Sequence, residues 1–256
     1  LKQYAHLGTG NYNPATAKIY TDMSYLTSKD EITNDMTRFF HFLTGFSKKG
    51  KLNELYMSPS QIKSKILSLI QNETRKGSNG EIIAKVNSLV DEDVIRALYK
   101  ASQAGVKVDL IVRGICCLKP GIEGVSENIR VISILGKYLE HSRTFYFKND
   151  DPGVYISSAD WMPRNLMRRI ELLTAINDDK AKEKIIQILK LQCADNALAH
   201  ELQSDGSYIK IKNDGIKTVN NHKHLEDYVN RVSKAATKES ANFIEDIASK
   251  IFTQGE

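Results

Sequence analysis

Apolar residues recur in two rhythms along the chain, and the alternation between them outlines an architecture. Between residues 31 and 46, Met36, Phe39, Phe40 and Leu43 keep the three-to-four spacing of one helix face. Leu55-Tyr56-Met57 then predicts a short strand. Ser58-Pro59 predicts a helix to about residue 76, with serine at the cap and proline in the first turn. Further apolar stretches predict strands at 82–86, 106–112, 129–134, 144–147, 154–156 and 170–176. The stretch 106–112 comes closest to a strand buried on both faces. Helices are predicted over 91–104, ended by Gly105, and from 180 to about 198, capped by Asp178-Asp179. Strands separated by helices, then successive hairpin-like strands, predict an α/β fold with a mixed sheet and helices on its faces.

The polar stretches divide the chain. Residues 1–27, rich in Gly, Asn, Tyr and Thr, read as loop. Ser47-Lys48-Lys49-Gly50-Lys51 reads as a solvated linker and the best boundary. The tail from Ser204 carries a predicted strand at 208–211 and an amphipathic helix near 225–236, and is expected to be loosely held. The resulting division is 1–53, 54–182 and a helical extension over 183–256.

Composition narrows the class without fixing the function. The 256 residues, 41% hydrophobic and 26% charged, suit an ordinary globular protein of one large or two small domains. No apolar run approaches the ~20 residues of a membrane span. Leu1-Lys2-Gln3-Tyr4-Ala5 is unlike a signal peptide. With no initiator methionine, the chain reads as a piece of something longer. Cys116, Cys117 and Cys193 match neither a disulfide framework nor a zinc spacing, so a reducing cytoplasm is expected. The adjacent pair reads as small buried hydrophobes. A net charge of +5 is compatible with an anionic substrate but does not require one.

Four clusters could carry chemistry. In His6-Leu7-Gly8-Thr9-Gly10-Asn11-Tyr12-Asn13, two glycines let backbone amides turn toward an anion, and His, Thr and Asn add neutral donors. A Gly-rich turn with a capping Asn explains the same residues. Arg113-Gly114 follows the buried strand, at the edge where α/β sheets bind ligands, and suits bidentate phosphate binding. An arginine paired with a structural carboxylate remains open there. Glu140-His141-Ser142-Arg143 opens the next strand, and alternation puts His141, Arg143 and Phe145 on one face. The fourth cluster runs from Ser157 through Ser158 and Asp160 to Asn165. Each of the last two alone reads as an ordinary polar strand end. Taken together they resemble the repeated motif of the phospholipase D superfamily, a His-x-Lys or His-x-Arg strand followed one hairpin later by a small-residue turn. His141, Arg143, Ser158 and Asp160 fill those positions, with His141 and Ser158 expected close together across neighbouring strands. Gly8–Asn11 resembles the turn half of a second copy.

Longer stretches extend the resemblance. His6–Asn13, Tyr20-Thr21-Asp22, Lys85–Asp91, Val112–Cys117, Gly124–Arg130, Leu139–Arg143 and Ser157–Asn165 are similar to polyphosphate kinases of the long, multidomain type, in the family's order. The similarity is nearly continuous from Tyr4 to about Ile176. It implies the end of one phospholipase D-like domain and all of a second. It also implies ATP binding by Tyr20, Arg113 and His141, and phosphate binding by Asn11, Arg143, Ser158 and Asp160. Catalytic roles fall to His141, as an acid–base or phosphate-positioning group, and to His6 as a supporting histidine. The phosphorylated histidine is expected upstream of Leu1, so the piece alone is expected to be inactive, and no metal ligand is expected among these residues. The implied reaction is ping-pong: an imidazole takes the γ-phosphate of ATP, and polyphosphate then receives it. Mg²⁺ is the implied cofactor, and ATP, ADP and polyphosphate are the partners, without nucleic acid. The full-length enzyme is expected to be a cytoplasmic homo-oligomer, with peripheral membrane association left open. Two alternatives stand beside this: a phosphodiesterase of the phospholipase D superfamily, and a polyanion-binding domain without chemistry. Arg143, where such phosphodiesterases usually carry Lys, and the turn Ser157-Ser158-Ala159-Asp160 speak against the first.

Overall fold

Strand side chains point alternately to opposite faces of a sheet, and here that alternation sorts the core into two layers. The computed structural model describes residues 2–48, 50–213, 215 and 217–234. Its centre is a nine-stranded sheet. The parallel strands β5 (Glu81–Val86), β6 (Lys107–Val112) and β7 (Ile129–Ile134) form its middle. On one side of β5 run β9 (Arg143–Phe147), β10 (Val154–Ser157), β11 (Leu172–Ala175) and β4 (Leu55–Met57), each antiparallel to its neighbour. Beyond β7 come β12 (Ala199–Leu202) and β13 (Tyr208–Lys210), also antiparallel.

Ile82, Ala84 and Val86 of β5 face α2 (Ile62–Thr74) and α3 (Glu92–Gln103), in one cluster with Phe145, Phe147 and the fully buried Trp161. Burial of each of the larger side chains Ile82, Val86, Phe145 and Phe147 contributes about 1.5–3 kcal/mol. Ile83, Ile111 and Ile132 face the other way, toward α5 (Asp179–Cys193). A separate small sheet pairs β1 (Ala5–Gly8) with β3 (Ser24–Thr27), and α1 (Asp30–Leu43) packs over it. A two-residue parallel contact, β2 (Tyr20–Thr21) with β8 (Leu139–Glu140), ties this part to the large sheet. The remaining α-helices among the described residues are the short α4 (Pro163–Met167) and α6, at residues 221–234. No helix among the described residues is long and apolar enough to cross a membrane.

The mixed α/β sheet with helices on its faces is therefore present, and several local expectations are corrected. Residues 1–27 are not all loop, since polar residues of β1 and β3 hide a strand pair that buries Ala5 and Leu7. The second helix starts at Ile62: the Ser58 hydroxyl is occupied with the Arg169 carbonyl and the Glu171 amide, so it caps nothing. The helix expected to reach 198 stops at Cys193, where Asp195 accepts from the amides of Ala197, Leu198 and Ala199 and turns the chain into β12. The tail is held: Asn221 and His222 are buried, and Asp195 accepts from both the amide and the side chain of Asn221. Residues 235 and 236 of the expected last helix, the rest of the tail to 256, and Lys49 of the expected linker lie outside the described residues. Cys116 is half-buried and Cys117 exposed, so the pair is not the buried hydrophobe expected.

Candidate active site

Because β5 and β6 run parallel and β9 starts opposite the end of β5, one edge of the sheet gathers the ends of four strands. Lys85 pairs with Thr144, and Ser157 with Arg143. That edge carries His141 and Arg143 before and at the start of β9, Asp160 after β10, Asn87 after β5 and Arg113 after β6. Ligands in open α/β sheets bind at such carboxyl ends.

His141 is buried to 8% exposure. Its Nδ1 lies 3.0 Å from both carboxylate oxygens of Asp22. A carboxylate accepts, so Nδ1 carries the hydrogen, and Nε2 of the neutral ring keeps its lone pair. Tyr20 packs on the ring with centroids 4.5 Å apart. Arg143 Nη1 stands 3.2 Å from Nε2 and donates to the Thr9 carbonyl at 3.0 Å. The other edge of the guanidinium forms a two-pronged contact with Asp160, Nε to Oδ1 at 3.2 Å and Nη2 to Oδ2 at 3.0 Å. Asp160 Oδ1 also accepts from the amides of Asn87 and Ser88. Asn87 extends the chain of contacts: its Nδ2 donates to the His141 carbonyl, and its Oδ1 accepts from Arg113 Nε at 3.2 Å.

Asp22 is itself fixed, since Thr9 Oγ1 donates to it at 2.8 Å. A Cβ on Gly10 would stand 2.0 Å from its Oδ2, so this close approach requires glycine. On the α5 side of the sheet lies a second buried group. Glu140 accepts from Lys85, from Thr21 at 3.0 Å and from Gln192 at 3.1 Å, and meets His222 Nε2 at 2.6 Å. Burial alone would raise its carboxyl, but Lys85, with His222, outweighs that and holds it at about 2.

The structure thus brings Tyr20, His141, Arg143, Asp160 and Arg113 into one connected set. The other sequence candidates make no hydrogen bond to this set among the described residues. Ser158 follows the strand paired with β9, but its hydroxyl donates to Glu171 at 2.5 Å. His6 takes a 2.6 Å contact from the Tyr12 hydroxyl and has no hydrogen bond to the His141 set among the described residues. Both line a cavity of about 280 Å³ with Glu171 and Tyr12. Asn11 is exposed, and the cap in that loop is Asn13, which accepts from Ala15 and Thr16. Sequence reasoning assigned no role to Asp22, Lys85, Asn87, Glu140 or His222, and it read Thr9 as a donor to an anion where the structure has it donating to Asp22. A lysine inside the apolar strand Ile82–Val86 was the one visible signal, since such a charge must find a partner.

Three His, Cys, Asp or Glu side chains placed to hold a metal do not occur together among the described residues. Asp22 and Asp160, the carboxylates at the His141 set, are already engaged. These residues therefore do not form a protein cage for Mg²⁺, an ion that binds through one or two carboxylates and substrate phosphates.

Comparison with known proteins finds matches over most of the chain. The family model described as polyphosphate kinase C-terminal domain 2 matches residues 55–222, and that for C-terminal domain 1 matches residues 1–49. A polyphosphate kinase of Campylobacter jejuni subsp. doylei is 56% identical over 255 residues, covering 99% of this chain and 36% of that protein. One from Helicobacter pylori is 53% identical over 214 residues, covering 83% of this chain and 31% of that protein. The crystal structure of polyphosphate kinase from Porphyromonas gingivalis superposes with a TM-score of 0.85 at 38% identity, over 91% of this chain and 37% of that one. The chain spans about a third of the length of these relatives.

Proposed function

The chain belongs to the polyphosphate kinase family, and from that premise we propose that it supplies part of the site that moves the γ-phosphate of ATP, reversibly, to polyphosphate through a phosphohistidine. The observation that carries the reading is His141, held between Asp22, Tyr20 and Arg143 at the edge where β5 and β6 end.

Phosphoryl transfer spreads negative charge over the equatorial oxygens of the moving group, so catalysis consists mainly of positioning and cationic stabilisation. Arg113 suits the clamp: its terminal nitrogens have no hydrogen-bond partner among the described residues. Arg143 adds fixed positive charge beside the imidazole, and Asp160 keeps it in place. Tyr20 offers a ring face to the nucleotide and Asn11 a neutral phosphate-side donor, which Ser158 joins only by giving up its hydrogen bond to Glu171. His141, with Nδ1 turned to Asp22, directs Nε2 to the reaction and works as acid–base or phosphate-positioning group. His6 is the supporting histidine. Mg²⁺ bound to the ATP phosphates would neutralise part of their charge, with no ligand from the residues of the His141 set. The reading carries with it the cytoplasm as compartment, ATP, ADP and polyphosphate as partners, and a homo-oligomeric whole protein.

The test is ATP labelled at the γ-phosphate, given to the full-length protein. Label should enter polyphosphate and appear on protein as an acid-labile, base-stable adduct, and His141→Ala should abolish polyphosphate formation. Unlabelled polyphosphate, or an Ala variant at wild-type rate, would refute the assignment.

A further inference from the structure

Glu140 does not touch the edge where ligands bind, yet four elements converge on it. Its Oε2 accepts from Lys85 on β5, Thr21 on β2 and Gln192 on α5. Its Oε1 has one hydrogen-bond partner among the described residues, His222 Nε2 on α6 at 2.6 Å. Glu140 and His222 are 2% and 3% exposed. Glu140 immediately precedes His141, and Thr21 lies between Tyr20 and Asp22. The parallel pairing of β2 with β8 joins the two segments: Thr21 faces Glu140, and the Thr21 carbonyl accepts from the amides of His141 and Ser142. Whatever moves Glu140 therefore moves both the imidazole and the carboxylate that orients it.

α6 grips the same segment further along. Glu226 is bound by Lys137 and by the Tyr138 hydroxyl. The chain before β8 passes so close beneath α6 that a Cβ on Gly136 would stand 2.9 Å from His222 Nδ1 and 2.6 Å from Leu198 Cδ1. Between α6 and the site lies a cavity of about 660 Å³, lined in part by Tyr20, Asp22, Tyr138, Leu225 and Glu226. Apolar burial would hold a helix here equally well. A histidine opposite a buried carboxylate is needed only if the position of that carboxylate matters.

We infer that His222 is a positioning residue for phosphoryl transfer, acting through Glu140 on the Tyr20–Asp22 segment and on His141. Without it, Oε1 faces a buried void and the carboxylate is drawn toward Lys85. The β2–β8 contact shifts with it. Misplacing a reacting group by about 1 Å costs on the order of a hundred-fold in rate. The inference rests on the phosphoryl-transfer reading given above.

The experiment compares His222→Leu, His222→Gln, Glu140→Gln and Asn221→Ala in the full-length protein, by ATP-dependent polyphosphate synthesis and thermal melting. Asn221 anchors the start of α6 to Asp195 without reaching Glu140, so its variant reports looseness of the helix alone. His222→Leu should lower kcat by about ten- to a hundred-fold. Glutamine, whose amide can donate to Oε1, should restore most of the rate. Asn221→Ala should lose melting temperature and keep kcat. Should the leucine variant fail to fold, Glu140→Gln carries the same test at constant volume and should show the same fall. Equal kcat in all variants, or a loss that follows melting temperature with Asn221→Ala as impaired as His222→Leu, overturns the inference while leaving the phosphoryl-transfer reading standing. A wild-type protein that makes no polyphosphate from ATP overturns both.

Discussion

Arg113 donates its Nε hydrogen to Asn87 and keeps both terminal nitrogens clear of other partners among the described residues. A planar fork with open terminal donors is suited to phosphate, so Arg113→Ala in the full-length enzyme should cost about 2–4 kcal/mol of transition-state stabilisation. Arg113→Lys should recover only part, because one ammonium cannot reproduce the fork. Steady-state kcat/KM for ATP measures both. Glu140 makes a different kind of prediction. Its folded carboxyl is held at about 2 against an ordinary 4.5, so its stabilisation is complete above 4.5 and is lost as pH falls toward 2. Between pH 5 and 2 the wild type should lose about 3 kcal/mol more than Glu140→Gln, read from urea unfolding. Parallel curves would show that Lys85 and His222 do not hold the charge. Strand alternation and the resemblance together pointed to His141, Arg143, Asp160, Tyr20 and Arg113 as candidates. Asp22 and Glu140 lay inside the quoted motifs but were given no role, because each acts across 119 residues, on His141 and from Thr21, and no local spacing encodes such a contact.

Elements with strong periodicity were legible, and short ones were not. The apolar runs predicted at 82–86, 106–112 and 129–134 form strands because four apolar side chains in each strand are buried. β12 was missed because Ala199-His200-Glu201-Leu202 follows a helix without a break in composition, and the break is made by a side chain, Asp195. Asp35 plays a similar part between α1 and β4. Fully buried, it accepts from the amides of Asn53, Glu54 and Leu55 at 2.7, 2.7 and 3.2 Å. Removing it leaves three amides without an acceptor, so Asp35→Ala should cost about 3 kcal/mol, and Asp35→Asn less. Thermal or urea unfolding distinguishes the two. An alanine variant of wild-type stability would mean that water replaces the carboxylate.

Across the whole molecule, the small sheet and the large one share apolar residues. Leu55 and Met57 of β4 belong to the cluster formed by Ala5, Leu7, Ile32 and Phe39, and Leu172 of β11 packs against it. A core shared in this way should melt as one unit, giving a single calorimetric transition with equal calorimetric and van't Hoff enthalpies. Two transitions would show the small sheet unfolding alone. The order in which the chain is made adds a last consequence of the contact between α6 and Glu140. A ribosome adds about 5–20 residues per second, so His222 follows Ala175, the last residue of β11, by roughly 2–10 s. During that interval the sheet edge, its arginines and its imidazole can already exist, while the last support of Glu140 does not. A nascent chain would therefore carry the sheet edge before it carries the buried support of Glu140, and competence would arrive with α6.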